Sequence, residues 1–169
     1  FYVNDWNYKF GQPKVLWERL DKSNKSSPSV TLGAMENDIT ISVACYPTSS
    51  AEISDANSSN EQKCVVKNVP LQKWVNLLVS VYGETLDVYL DGKLYKTCVL
   101  DGVPKVNSDA DISVTPDGGF SGWTSNFQYW DKPTNPQEAY NIYKAGYGGG
   151  VLGNMFNKYR LRIQFIKDN

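Results

Sequence analysis

Apolar and polar side chains alternate along several short stretches of the chain. The alternation is clearest at residues 39–45, 75–81, 86–90 and 159–165, where every second side chain is apolar. A period of two residues is typical of β-strands that bury one face and expose the other. We therefore predict a strand at each of these four places.

Turn signals separate the predicted strands. Residues 82–84 lie between two of them and are short enough for a hairpin, and the Asp-Gly pair at 91–92 favours a tight turn before a further strand at 93–100. An Asp-Gly-Gly sequence at 117–119 precedes an aromatic strand at 120–130. Closely spaced short strands of this kind predict an all-β fold, an antiparallel β-sandwich of the jelly-roll type.

One short helix is predicted near residues 135–145. Thr134 or Asn135 can cap it, Pro136 suits its first turn, and Gly146 can end it. The helix follows the last of the closely spaced strands, so it lies in the C-terminal half of the chain.

Two polar stretches without periodicity, 21–29 and 47–62, are predicted to be loops. Each contains one N-glycosylation sequon, at Asn24 and at Asn57. About two sequons are expected by chance in a chain of this composition, so they do not establish secretion. Their position in predicted loops favours accessible sites.

The chain divides into a predicted sandwich at 1–147 and a C-terminal segment at 148–169. The segment begins with three glycines, which predict a hinge, and continues into a basic strand that we expect to pack on the sandwich or on a partner. The first residue is Phe1, and residues 1–3 resemble the end of a strand. We therefore expect the chain to be part of a longer product.

Composition excludes several kinds of chemistry. The 169 residues include no histidine and carry a formal net charge of −1, which excludes imidazole-based catalysis and a generally polycationic nucleic-acid binder. The three cysteines are too scattered for a metal cluster. They leave open one disulfide with a free thiol or three buried thiols, and the best-placed pair is Cys45 with Cys64.

Catalytic carboxylates are not evident in the sequence. Glycosidases on sandwich folds need two carboxylates that face each other across a cleft. Glu84 and Asp87 would point to opposite faces of a strand, and Asp109 and Asp111 lie at a strand start, where acids usually mark a solvated turn. We predict a protein that is not an enzyme and has no cofactor, with a loop-bound calcium ion as the weaker alternative.

The chain contains more aromatic residues than one small core can bury. They number 22, and their excess suits either a protein interface, which we favour, or a platform on which sugars stack. Arg160 and Arg162 lie on the polar face of the last predicted strand and could contact an acidic partner. The candidate binding residues are Trp17, Trp130, Tyr140, Tyr147, Arg160 and Arg162.

The order of motifs resembles the concanavalin A-like, laminin-G-type jelly roll. A Trp-led strand at 69–76 is followed by a hairpin with a Tyr-x-Asp-Gly turn at 81–93, a Gly-x-x-Gly segment near 118–122 and an aromatic segment at 126–130. The resemblance covers about residues 30–145 and implies the fold and a general binding role. It implies no catalytic residue, because the paired acids of the family's hydrolases are missing here.

The helix and the glycines after it resemble modules encoded by large DNA viruses of algae and protists. This resemblance rests on residues 135–150. It implies a minor capsid protein or another structural protein of a virus particle, which would bind other proteins of the same assembly and no nucleic acid. A membrane would be involved only through a segment upstream of Phe1. The alternative is an extracellular or cell-surface module that binds glycans, and a glycoside hydrolase is the remote one.

Overall fold

Antiparallel strands and one helix make up the part of the chain that the computed structural model describes, residues 1–20, 25–48, 60–105 and 110–146. In chain order these elements are β1 (Tyr2–Asp5), β2 (Lys14–Leu20), β3 (Ser26–Leu32), β4 (Ile39–Cys45), β5 (Asn60–Val66), β6 (Leu77–Tyr82), β7 (Thr85–Leu90), β8 (Lys93–Val99), β9 (Ile112–Val114), β10 (Ser121–Trp123) and α1 (Pro136–Ala145).

The strands pair into two main antiparallel sheets and one small one. The first has the order β5-β4-β3-β2-β9, the second has the order β6-β7-β8, and β1 pairs with β10. Side chains from both main sheets share one core, which includes Ile41 and Val43 of β4 and Leu86 and Val88 of β7. The predicted antiparallel β-sandwich with one short helix is confirmed at this level.

Three of the four clearest alternating patterns, 39–45, 75–81 and 86–90, gave strands at or near the predicted places, and the fourth, 159–165, lies outside the described residues. Every apolar position of the alternating pattern in β4 is buried, as are Leu86 and Val88 in β7. The two-residue turn at Asp91-Gly92 has positive φ at both residues, as a tight Asp-Gly hairpin requires. Residues 2 and 3 lie in a strand as expected, but this strand, β1, continues to Asp5 and does not end at residue 3.

Two predicted loops contain the beginnings of strands. β3 begins at Ser26, inside the expected loop 21–29, and β5 begins at Asn60, inside 47–62. The polar residues of β3 pair through their backbone with β2 and β4, and the Ser27 hydroxyl donates to the Lys105 carbonyl at 2.7 Å. A strand whose small polar side chains are satisfied in this way shows no apolar alternation.

The predicted aromatic strand at 120–130 is wrong beyond its first few residues. Only Ser121–Trp123 forms a strand, β10, and the chain then runs without regular structure. Asn126 adopts a φ of 53°, in the left-handed region, which breaks an extended backbone. Residues 124–130 therefore leave the sheet and lie beside the opening between the two main sheets.

The expected Cys45–Cys64 bridge is also wrong, although β4 and β5 are antiparallel neighbours as predicted. Their register places Cys45 opposite Asn60 and Cys64 opposite Ile41. Four residues of strand, about 13 Å, separate Cys64 from the position opposite Cys45, which exceeds the Cα separation of roughly 7 Å that a disulfide allows. Cys64 is instead bonded to Cys98 of β8 in the facing sheet.

Cys45 is left as a free, buried thiol. Burial, with a smaller contribution from Asp101, raises the pKa of this thiol above its ordinary value. The thiol therefore stays protonated at neutral pH, and a protonated thiol is a poor nucleophile.

Helix α1 matches the prediction closely. Asn135 is its N-cap and forms a capping box with Glu138, Pro136 opens the first turn, and the Gly146 backbone N–H donates to the Tyr143 carbonyl. Ala139 is buried against Leu78 and Tyr89, on the opposite side of the second sheet from the main core. No helix among the described residues is long and apolar enough to cross a membrane.

The predicted boundary between the sandwich and the C-terminal segment, at residue 147, lies outside the described residues.

Candidate functional site

A cleft of about 880 Å³ opens between the two main sheets. One wall comes from β2, β3 and β9, and the facing wall comes from β6. Residues 124–134 run along a third side, and the end of α1 contributes Tyr143 and Gly146. A concave, mostly apolar space with a few polar groups is the usual form of a ligand site.

The floor of the cleft is apolar. Leu16 and Val43 are buried, while Leu77, Val79 and Val81 of β6 are half-buried and pack against the core. We call these five residues the inner cleft. They provide surface for apolar side chains, and their side chains offer no hydrogen bonds.

Aromatic side chains line the outer part of the cleft. Trp17, half-buried on β2, meets Phe127 with ring centroids 5.8 Å apart and planes at 67°. This edge-on geometry is favourable for aromatic pairs and fixes the orientation of both rings. Tyr129 and Trp130 follow on the same segment and are 57% and 40% exposed. We call these four aromatic residues, together with Arg19, the aromatic rim.

Arg19 connects the exposed Tyr129 ring to the first sheet. Its Nε donates to the Ala110 carbonyl at 3.0 Å, and its guanidinium lies 5.9 Å from the centre of the Tyr129 ring. A contact of 3.5 Å also joins Arg19 Nη1 to the Tyr129 hydroxyl. The arginine thereby positions an exposed aromatic face while part of its own charge stays at the surface.

Amide groups accompany the aromatic rings. Gln128 Nε2 donates to Asn126 Oδ1 at 2.9 Å, and both residues are exposed along the cleft. Asn76 lines the same cleft, and its buried Oδ1 has no hydrogen-bond partner among the described residues. Amides beside flat rings can bind a ligand that has both hydroxyl groups and apolar faces.

The structure brings only some of the predicted site residues together. Trp17 and Trp130 both line the cleft, whereas Tyr140 is exposed on α1 and is not part of the cleft. Outside the described residues lie Tyr147, Arg160, Arg162, Asn24 and Asn57.

The candidate binding residues predicted from the sequence do not include Arg19, the amides, Phe127 or Tyr129. The alternation of aromatics over 120–130 predicts a strand, because alternation alone does not show that the chain leaves the sheet after Trp123. Among the described ranges 1–20, 25–48, 60–105 and 110–146, no three His, Cys, Asp or Glu side chains come together to hold a metal ion.

Comparison with known proteins supports the fold. No protein-family model and no curated protein matches the chain. The binding domain of botulinum neurotoxin serotype G is structurally similar, with a TM-score of 0.52 and 12% sequence identity, and the match covers 84% of this chain and 33% of that one. The chain thus spans about a third of the length of that domain.

A second solved structure has a weaker similarity. An S-layer domain-containing protein from Clostridium thermocellum matches with a TM-score of 0.33 and 14% identity, over 85% of this chain and 67% of that one. This score is too low to support an argument. The neurotoxin match supports the predicted β-sandwich, and neither comparison links the chain to a virus.

Proposed function

We propose that the chain is a non-catalytic module that binds carbohydrate at the aromatic rim. The observation that carries this proposal is the grouping of Trp17, Phe127, Tyr129 and Trp130 on one cleft beside Arg19. The rings of Tyr129 and Trp130 are partly exposed, so a sugar ring can pack its apolar face on them.

The polar groups beside the rim suit the same class of ligand. Asn126 and Gln128 provide exposed amide donors and acceptors beside the aromatic rings. A sugar presents several hydroxyl groups that both donate and accept, so it can satisfy such a mixed set. The similar neurotoxin structure is itself a binding domain, which agrees with a binding role.

A printed array of oligosaccharides tests the proposal, followed by calorimetric titration with the sugar that binds best. Tyr129→Ala and Trp130→Ala should each weaken binding by at least about tenfold, a loss of roughly 1.4 kcal/mol. The matched controls are Tyr82→Ala and Trp123→Ala, which remove exposed rings that do not line the cleft. They should bind as the unmodified chain does.

Absence of binding across the array would contradict the proposal. Equal weakening by the rim variants and the controls would contradict the assignment of the binding site to the aromatic rim.

The role in a virus particle remains a prediction. Its own test is the double variant Trp130→Ala with Arg160→Ala, which should reduce co-purification with other particle proteins if those residues mediate docking.

A further inference from the structure

One edge of the second sheet has no partner strand among the described residues. β6 pairs with β7 through a hairpin in which Tyr82 lies opposite Thr85 across the turn at 83–84. Residues that flank a two-residue turn exchange both backbone hydrogen bonds, and the bonded positions then alternate along the strand. The backbone N–H and C=O groups of Val79 and Val81 therefore point away from β7, where no other described strand pairs with them.

This edge lies directly beside the inner cleft. The side chains of Val79 and Val81 are half-buried there, across from the buried Leu16 and Val43 of the first sheet. An apolar groove next to a row of unpaired backbone groups is the combination that binds an added β-strand. Its backbone would bond to the edge while every second side chain enters the groove.

A segment of the same chain has the required pattern. Residues 159–165 place Tyr159, Leu161, Ile163 and Phe165 at alternate positions, and polar residues come between them. In a strand, these four apolar side chains share one face, and Arg160, Arg162 and Gln164 share the other. One face would thus suit the inner cleft and the other would suit water.

The segment can also reach this edge. Gly146, the last described residue before it, already lines the same cleft. The connection at 147–158 can span up to roughly 40 Å, which exceeds the length of β6, about 20 Å. A tethered strand has an effective concentration in the millimolar range, so it competes well against a strand from a second copy.

We infer that residues 159–165 add to the free edge of β6 as a further strand and cover the inner cleft with their apolar face. The aromatic rim, which lies farther out, stays accessible. This inference concerns the completion of the sandwich and does not depend on the proposed ligand.

Amide hydrogen exchange on the full chain tests the inference directly. If the edge is paired, the Val79 and Val81 amides should exchange at least about 100-fold more slowly than amides of an exposed loop. This protection should not change with protein concentration. Exchange as fast as in loops would overturn the inference, and so would protection that appears only as concentration rises, because a second copy would then supply the strand.

Two matched double variants identify the strand responsible. Leu161→Asn with Ile163→Asn removes apolar side chains from the face that enters the cleft, and should speed exchange at Val79 and Val81 at least about tenfold. Arg160→Asn with Arg162→Asn changes the other face and should leave these rates within about twofold. Equal effects of the two variants would overturn the inference. Even if Leu161→Asn with Ile163→Asn does not fold, the exchange rates of the Val79 and Val81 amides in the unmodified chain still test the inference.

Discussion

The disulfide between Cys64 and Cys98 joins the edge strands of the two facing sheets, with 5.9 Å between the Cα atoms. β5 is the last strand of the first sheet and β8 is the last strand of the second. Nearby, Lys96 Nζ donates to the Val65 carbonyl at 2.8 Å and the Tyr95 hydroxyl donates to the Lys67 carbonyl at 3.0 Å. One side of the sandwich is thus fastened, and the cleft opens elsewhere between the sheets.

Reduction of this disulfide should lower the stability of the sandwich. The bridge closes a sequence separation of 34 residues, and the chain-entropy model gives about 3–4 kcal/mol for a loop of that size. Urea unfolding with and without reductant measures the difference. Cys45→Ala should keep this dependence on reductant, since Cys45 is a free thiol. The double variant Cys64→Ser with Cys98→Ser should lose it, and an equal response in both variants would contradict the assigned pairing.

Gly92→Ala should destabilise the fold more than Gly83→Ala. Both glycines lie in hairpin turns with positive φ, so each substitution costs about 1–2 kcal/mol of backbone strain. An added Cβ at Gly83 meets nothing within 4 Å, whereas at Gly92 it would lie 2.8 Å from the Tyr143 Cβ and 3.1 Å from the Tyr140 Cα. Gly92→Ala must therefore displace α1, at a further cost of roughly 1–3 kcal/mol.

Thermal unfolding of the two glycine variants provides the comparison. Gly92→Ala should have the lower midpoint, and its near-ultraviolet circular dichroism should change because Tyr140 and Tyr143 move. Equal midpoints would mean that α1 does not pack against this turn.

Asn135→Ala should lower the free energy of unfolding by about 1 kcal/mol. The Asn135 side chain accepts a hydrogen bond from the Glu138 backbone N–H at 2.9 Å, and the Glu138 carboxylate accepts one in return from the Asn135 backbone N–H at 3.2 Å. The control is Asn141→Ala, which removes an exposed asparagine from the middle of the same helix. Urea unfolding should show little loss in the free energy of unfolding for Asn141→Ala, because alanine forms helices more readily than asparagine.

Local signals in the sequence predicted the elements that depend on local physics. The cap, the proline and the terminal glycine of α1 lie within a few residues of one another, and β4 shows its burial as a simple alternation. The tight turn at Asp91-Gly92 is likewise specified by the two residues that form it. These features need no knowledge of the rest of the chain.

Features that depend on distant partners could not be predicted in this way. The Cys64–Cys98 bond requires the register of β5 and the stacking of one sheet on the other. The aromatic rim forms because the chain leaves the sheet after Trp123 and brings Phe127 to Trp17, more than a hundred positions earlier. Alternation over 120–130 is the same whether the aromatics lie in a core or along a cleft.

Lys14 should make stability depend on pH in the alkaline range. Its side chain is almost fully buried, with Nζ 3.0 Å from the Gly33 carbonyl oxygen and 4.6 Å from the centre of the Trp6 ring. Burial lowers the pKa of Lys14 in the folded chain. Between that lowered pKa and the value of about 10.4 in the unfolded chain, the unfolded state binds more protons, so this group makes the free energy of unfolding rise with pH.

Lys14→Met should remove this rise, because methionine fills a similar volume and carries no ionisable group. The measurement is the difference in free energy of unfolding between the unmodified chain and Lys14→Met, followed from pH 7 to pH 11. Burial, with a smaller contribution from Asp87, raises the pKa of Tyr89, which lowers stability above about pH 10, but this effect is common to both proteins and cancels in the difference. Lys9→Met, which removes a half-buried lysine elsewhere, gives the baseline for the loss of one lysine. A difference that stays flat with pH would contradict the assigned environment of Lys14.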